Sequence, residues 1–192
     1  MRVLRWIAAL VFFLQLPIPL YWFVVHPRIR FWRQHPRAAY NAGLVFSWGI
    51  VTPCLLLFRH QLLREDLPSP EQIFIGLVCI AAEIWIFWRV KNDLGVARLV
   101  GKTELSGGGE MVARGIYSHI RHPRYVGSFL AIIGACLLAG TQTAWAIAGV
   151  WTLLILIAIA FEEREMRARF GAAFEDYRRR VPRFLPLVLR GR

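Results

Sequence analysis

Reactive and recognising side chains gather most densely between Gly107 and Tyr125. Gly107-Gly108-Gly109 leads into Tyr117 and Tyr125, His119 and His122, and Arg114, Arg121 and Arg124. Consecutive glycines let the backbone bend freely and approach a ligand closely. Pro123 suits the first position of a helix, where its missing N–H costs nothing. The N–H groups at that helix start, beside Arg121, His122 and Arg124, are expected to be free and to favour an anion such as a carboxylate. A basic membrane-surface anchor explains the three arginines. It does not explain glycines, a His-Pro pair and tyrosines concentrated beside them, so a binding site is the stronger reading. His119 and His122 lie three apart with no carboxylate or thiolate nearby, and no metal is expected.

The second chemical stretch is Phe161-Glu162-Glu163-Arg164-Glu165, followed by Arg167, Arg169, Phe170-Gly171, Tyr177 and Arg178-Arg179-Arg180. Glu163–Arg167 and Glu165–Arg169 have the spacing of solvent-facing helical ion pairs, each worth a few tenths of a kcal/mol. Glu162 differs. Its neighbours four and seven residues back are Ala158 and Ile155, on the face that continues an apolar run, where a carboxylate needs a cation to satisfy it. Glu83, inside another apolar run, poses the same question, with a ligand and an internal hydrogen bond both open.

These stretches need elements to hold them, and the composition says which. The chain has 192 residues, 57% hydrophobic and only 19% charged, with a formal net charge of +12. The apolar residues come in long blocks, which excludes a disordered chain and argues against a nucleic-acid partner. Five runs approach the roughly 20 residues of a membrane span: Leu4–Val25, Ala38–Phe58, Ile73–Val90, Tyr125–Leu138 and Ala144–Phe161. The last two are joined by an uncharged link containing Gly140 and form a helical hairpin. The expected fold is therefore all-α, a polytopic membrane bundle of five helices. Residues 1–90 form an N-terminal part of three helices; residues 91–192 carry the loop, the hairpin and a C-terminal tail. Pro17 and Pro19 kink the first span. It lacks a small-residue cleavage site before His26 and reads as retained rather than as a signal peptide. Cys54, Cys79 and Cys136 each stand alone in an apolar run, without a disulfide framework.

Alternate intervening segments carry 4 and 20 of the 24 basic residues. Lysine and arginine gather on the cytoplasmic side of membrane proteins. The expected topology has the N-terminus outside, with the C-terminus and the site cytoplasmic, in a prokaryotic inner membrane.

Gly115-Ile116-Tyr117, then Arg121-His122-Pro123-Arg124-Tyr125-Val126-Gly127, a helical hairpin, Glu162-Glu163, Phe170-Gly171, Tyr177, Arg180-Val181-Pro182 and Pro186 together resemble the isoprenylcysteine carboxyl methyltransferase family, which includes phospholipid methyltransferase relatives. The resemblance runs from about Asp93 to Pro186. It implies S-adenosylmethionine as methyl donor, with Met111, Val112, Tyr117, His122, Pro123, Tyr125 and Glu162 at the cofactor, and Lys102 as a weaker contact. Tyrosine rings suit an adenine and a sulfonium, and a carboxylate suits an ammonium. Two positions depart from the family pattern. Gly109 stands where a histidine is usual, and Ala158 where the family has the arginine associated with a substrate carboxylate.

Arg121 and Arg180 are the residues expected to orient the acceptor, a lipid-like or amphiphilic molecule offering a carboxylate, amine or thiol. Two other readings stay in view. One is an NADPH-dependent membrane reductase, in which the Arg178–Arg180 run meets the cofactor phosphate. The other is a catalytically silent accessory protein.

Overall fold

The computed structural model describes residues 2–62, 68–96, 105 and 110–185. Lys102, the glycines 107–109 and Pro186 fall outside the described residues. Every regular element within them is helical: α1 (Arg2–Gln15), α2 (Pro17–Val25), a 3-10 turn (His26–Arg28), α3 (Ile29–Gln34), α4 (Pro36–Leu57), α5 (Arg59–Leu62), α6 (Pro70–Leu94), a second 3-10 turn (Gly115–Ser118), α7 (Pro123–Ala139), α8 (Gln142–Phe170) and α9 (Ala172–Arg180).

Local chemistry sets the boundaries. Ser69 and Gln72 form a reciprocal capping box at the start of α6, with Pro70 in the first turn. Thr141 caps α8 by accepting from the Ala144 N–H, while its hydroxyl donates to the Leu62 carbonyl, 2.9 Å away. Gly140, at φ +66°, makes the left-handed turn that ends α7 and closes the hairpin.

Among the described residues, four stretches are long and apolar enough to cross a membrane: Val3–Gln34, Pro36–Leu57, Pro70–Leu94 and Gln142–Phe170. Helix α7, with 17 residues, spans about 26 Å at 1.5 Å per residue, short of a hydrocarbon core of roughly 30 Å. The first span is less continuous than the sequence implies. Regular helix is interrupted at Leu16, whose backbone stays helical at φ −61° and ψ −34°, and the two parts have different partners: α1 packs on α7, and α2 packs on α4.

The core lies where α1, α7 and α8 meet, around Phe12, Ile132, Trp151 and Ile155. The Trp151 indole donates to the Gln15 carbonyl, left without its next helical donor by Pro19. Helices α6 and α7 approach at backbone distance through Gly76 and Gly134, where a Cβ on Gly134 would come within 2.7 Å of the Gly76 oxygen. That close contact sets the height at which α7 presents its first turn, and so positions His122 and Tyr125.

Candidate active site

A cavity of about 320 Å³ opens between α2, α4, the loop before α7, α8 and α9. Its size falls in the roughly 300–1,000 Å³ range of small-molecule sites. Val112, Tyr117, Arg121, His122, Tyr125 and Glu162 line it together. Pro123 is buried at the first position of α7 and acts through the backbone. Met111 turns away and packs with Phe174, Tyr177 and Val181. Arg180 is exposed outside the cavity, its Nε donating to the Asp176 carbonyl. Arg178 and Arg179 likewise pair with Glu175 and Asp176. The basic run is therefore spent on its own helix.

Helix α8 brings in the acidic residues. Glu162 lies 20 residues beyond Gln142, about 30 Å along the axis, near the end of a hydrocarbon-spanning length. Its Oε2 accepts from the Tyr125 hydroxyl at 2.8 Å. Its neighbour Glu163 is no solvent-facing partner of Arg167, contrary to the spacing argument. Glu163 is only 6% exposed. It accepts from His122 Nε2 at 3.0 Å, from Arg183 through Nε and Nη2, and lies 3.3 Å from Arg121 Nη2. Arg167 instead meets Glu175, and Glu165 is held by His26 and Arg33. Nonlocal cations win because the chain after α9 folds back over the start of α7.

That return takes up the N–H groups of Arg121 and His122, at and just before the N-cap, while the first turn itself carries no side-chain cap. The Arg121 and His122 amides donate to the carbonyls of Pro182 and Arg183, at 2.8 and 3.1 Å. The Tyr177 hydroxyl adds a bond to the Tyr117 carbonyl at 2.7 Å, and burial pushes that hydroxyl up to about 12. Below, Asp93 accepts from the Ile116 amide. Gly115, at φ +58°, lets the loop turn in space that a Cβ would contest with the Asp93 carboxylate.

A side chain here also offers donors to an anion. The Arg121 side chain is 9% exposed, and its Nε and Nη1 have no hydrogen-bond partner among the described residues. Leaving buried donors unmet costs about 1–3 kcal/mol or more. Burial pulls this guanidinium below its ordinary range, Glu163 opposes that, and Arg183 and Arg178 reinforce it. Glu83, by contrast, is answered inside the bundle by Arg124 Nη1 at 2.9 Å and Gln15 Nε2 at 3.4 Å.

The family model described as phospholipid methyltransferase matches residues 71–173, just over half of the chain. The chain belongs to this methyltransferase family. Among its relatives, the methanethiol S-methyltransferase 2 of Bradyrhizobium diazoefficiens is 41% identical over 71 residues, 37% of this chain and 27% of that protein. A methanethiol S-methyltransferase of Crocosphaera subtropica is 39% identical over 72 residues, covering 38% and 28%. The protein-S-isoprenylcysteine O-methyltransferase of Schizosaccharomyces pombe is 34% identical over 86 residues, covering 41% and 34%. The chain thus spans about a quarter to a third of the length of these relatives. No solved structure matches it. Family membership and the four apolar helices make it an integral membrane protein.

The cavity has one wall that sequence reasoning missed. Trp22, His26 and Tyr40, from α2, the turn after it and α4, line it opposite α7 and α8. The available signal was an aromatic cluster, Tyr21-Trp22-Phe23, ending in His26-Pro27-Arg28, chemistry unusual in a plain anchor helix.

Proposed function

We propose that this protein is an S-adenosylmethionine-dependent methyltransferase that modifies a small or lipid-like acceptor at the cytoplasmic edge of the membrane. The observation that carries the reading is the pairing, in one cavity, of unmet guanidinium donors on Arg121 with a carboxylate on Glu162. The cofactor's amino-acid end needs that combination, a cation for its carboxylate and an anion for its ammonium. Tyr125 aims Glu162 by its hydroxyl hydrogen bond, and His122 and Arg183 hold Glu163 beneath Arg121. Tyr117 and Trp22 offer rings to the adenine and the sulfonium. When bound, the cofactor supplies an activated methyl group whose transfer is an in-line displacement. The protein's part is alignment and exclusion of water, which the α9 return and its Tyr177–Tyr117 bond support.

In this reading Arg121 serves the cofactor carboxylate rather than the acceptor. The segregation of basic residues supports a site on the cytoplasmic side. The relatives named for methanethiol and isoprenylcysteine are consistent with a small or lipid-like acceptor.

The test is ligand-dependent thermal stabilisation of the detergent-purified protein. S-adenosylhomocysteine should raise the melting temperature and NADPH should not. Glu162→Gln and Arg121→Ala should each abolish the shift at ligand concentrations that saturate wild type. Stabilisation by NADPH instead would reject the reading in favour of a reductase.

A further inference from the structure

On the wall contributed by the N-terminal helices, His26 has an arrangement that cofactor binding does not require. Its side chain is 2% exposed, and Nδ1 lies 2.9 Å from Glu165 Oε2. Arg33 Nη2 meets the other oxygen of Glu165 at 2.6 Å. The ring also stacks on Trp22, with centroids 4.6 Å apart and planes 22° from parallel. Ring position and tilt are thus set from two sides. Its remaining nitrogen, Nε2, has no hydrogen-bond partner among the described residues, and His26 lines the same cavity as Glu162 and Tyr125.

Three features bear on what such a histidine can do. Glu165 accepts a hydrogen bond from Nδ1–H, which leaves the Nε2 lone pair free to accept a proton. Arg33 meets the other oxygen of Glu165, so the carboxylate that orients the ring is itself held in place. Glu165 follows Glu162 by three residues on α8 and so shares its face, one turn further on. A base there stands beside the proposed donor site.

We infer that His26 is the general base for the acceptor, and that the acceptor is a thiol. This rests on the methyltransferase reading above. A carboxylic acid arrives ionised at neutral pH and needs no base. Reference pKa values are roughly 8.5 for an alkanethiol as acidic as cysteine, the kind meant here, 10.4 for an alkylammonium and 6.5 for an imidazole. A thiol therefore lies about two units from an imidazole and an ammonium about four, and proton transfer is efficient only when acid and base are close. Ala158, in place of an arginine suited to a substrate carboxylate, is consistent with this choice. In the step, the thiol proton passes to His26 Nε2 and the sulfur lone pair forms the new S–CH3 bond. The donor's CH3–sulfonium bond breaks, and its electrons neutralise the departing thioether. His26 then releases its proton to water.

The experiment compares wild type with His26→Asn, whose side-chain amide keeps a donor toward Glu165 and removes Nε2. Full-length protein in detergent receives S-adenosylmethionine and either an alkanethiol or an electron-poor aromatic thiol already ionised at the assay pH. His26→Asn should lower kcat/KM for the alkanethiol by about 10²–10⁴ and leave the ionised thiol near wild type. Stabilisation by S-adenosylhomocysteine should not change. The pH profile of wild type with the alkanethiol should show an acid limb that the variant lacks. The groups facing His26 are Glu165 and Arg33 directly, and Glu162, Arg121 and Arg169 across the cavity. Equal loss for both thiols, or no loss for either, overturns the role of His26. Should the variant not fold, wild type decides alone: the acid limb must appear with the alkanethiol and be absent with the ionised thiol. Methylation of amines or carboxylates but no thiol by wild type overturns the thiol assignment and leaves the methyltransferase reading intact. Failure to bind S-adenosylhomocysteine or to methylate any acceptor overturns that reading itself.

Discussion

Replacing Glu163 by glutamine tests whether the site is held together by one buried carboxylate. In the wild type that carboxylate faces His122, Arg121 and both donor groups of Arg183. The amide keeps the shape but removes the charge and turns one acceptor into a donor. Breaking a buried ion pair on one side costs about 3–5 kcal/mol; glutamine retains one accepting oxygen, so the lower end, about 3 kcal/mol, applies. At roughly 2–4 °C per kcal/mol for a chain of this size, the melting temperature should fall by about 6–12 °C. Thermal unfolding of detergent-purified protein followed by circular dichroism measures it. Hydrogen exchange supplies the local reading. The Arg121 and His122 amides bond to the returning chain, and their exchange should quicken more than that of amides in α7. An unchanged melting temperature with unchanged exchange at those two amides would refute the claim that Glu163 holds the return.

Three further outcomes are expected. Tyr177 has its pKa raised from an ordinary value near 10 to about 12 by burial, so its contribution is complete below pH 10 and disappears as pH rises toward 12. Hydrogen exchange at Tyr117 and its neighbours should quicken over that interval in wild type, and Tyr177→Phe should flatten the dependence. Gly134→Ala places a Cβ 2.7 Å from the Gly76 oxygen and should cost about 1–3 kcal/mol, while Gly149→Ala, with nothing within 4 Å, should be neutral or stabilising by up to about 1 kcal/mol; thermal unfolding of the pair compares them. Arg124→Ala strips Glu83 of its cation and should destabilise by about 3–5 kcal/mol. Adding Glu83→Gln to it should restore much of the loss in the same thermal measurement.

The bundle was legible because long apolar runs and capping residues act locally. Ser69 with Gln72, Pro123, Gly140 and Thr141 stop and start helices by chemistry within four residues, and the elements follow them. Clustering of Tyr117, Arg121, His122, Tyr125 and Glu162 was legible too, since residue type and membrane depth both pointed to one edge. What spacing could not supply was the partner of each charge. Glu163 had Arg167 four residues on, an ordinary surface pair, yet Arg121, His122 and Arg183, distant in sequence, displaced it. The wall bearing Trp22 and His26 was missed because helical periodicity says which face of α2 is apolar and not which helix will stand opposite it. The prolines announced a kink, but not that its two sides would choose different neighbours.

The return of residues 182 and 183 onto the start of α7 has a consequence during translation. Every span is already synthesised when Arg180 leaves the peptidyl-transferase centre, yet the carbonyls that take the Arg121 and His122 amides are not yet made, and neither is the guanidinium of Arg183 that meets Glu163. The bundle can therefore insert before its reactive edge is assembled. A ribosome that stops a few codons short of Pro182 leaves a protein whose Arg121 and His122 amides lack their acceptors and whose Glu163 lacks Arg183.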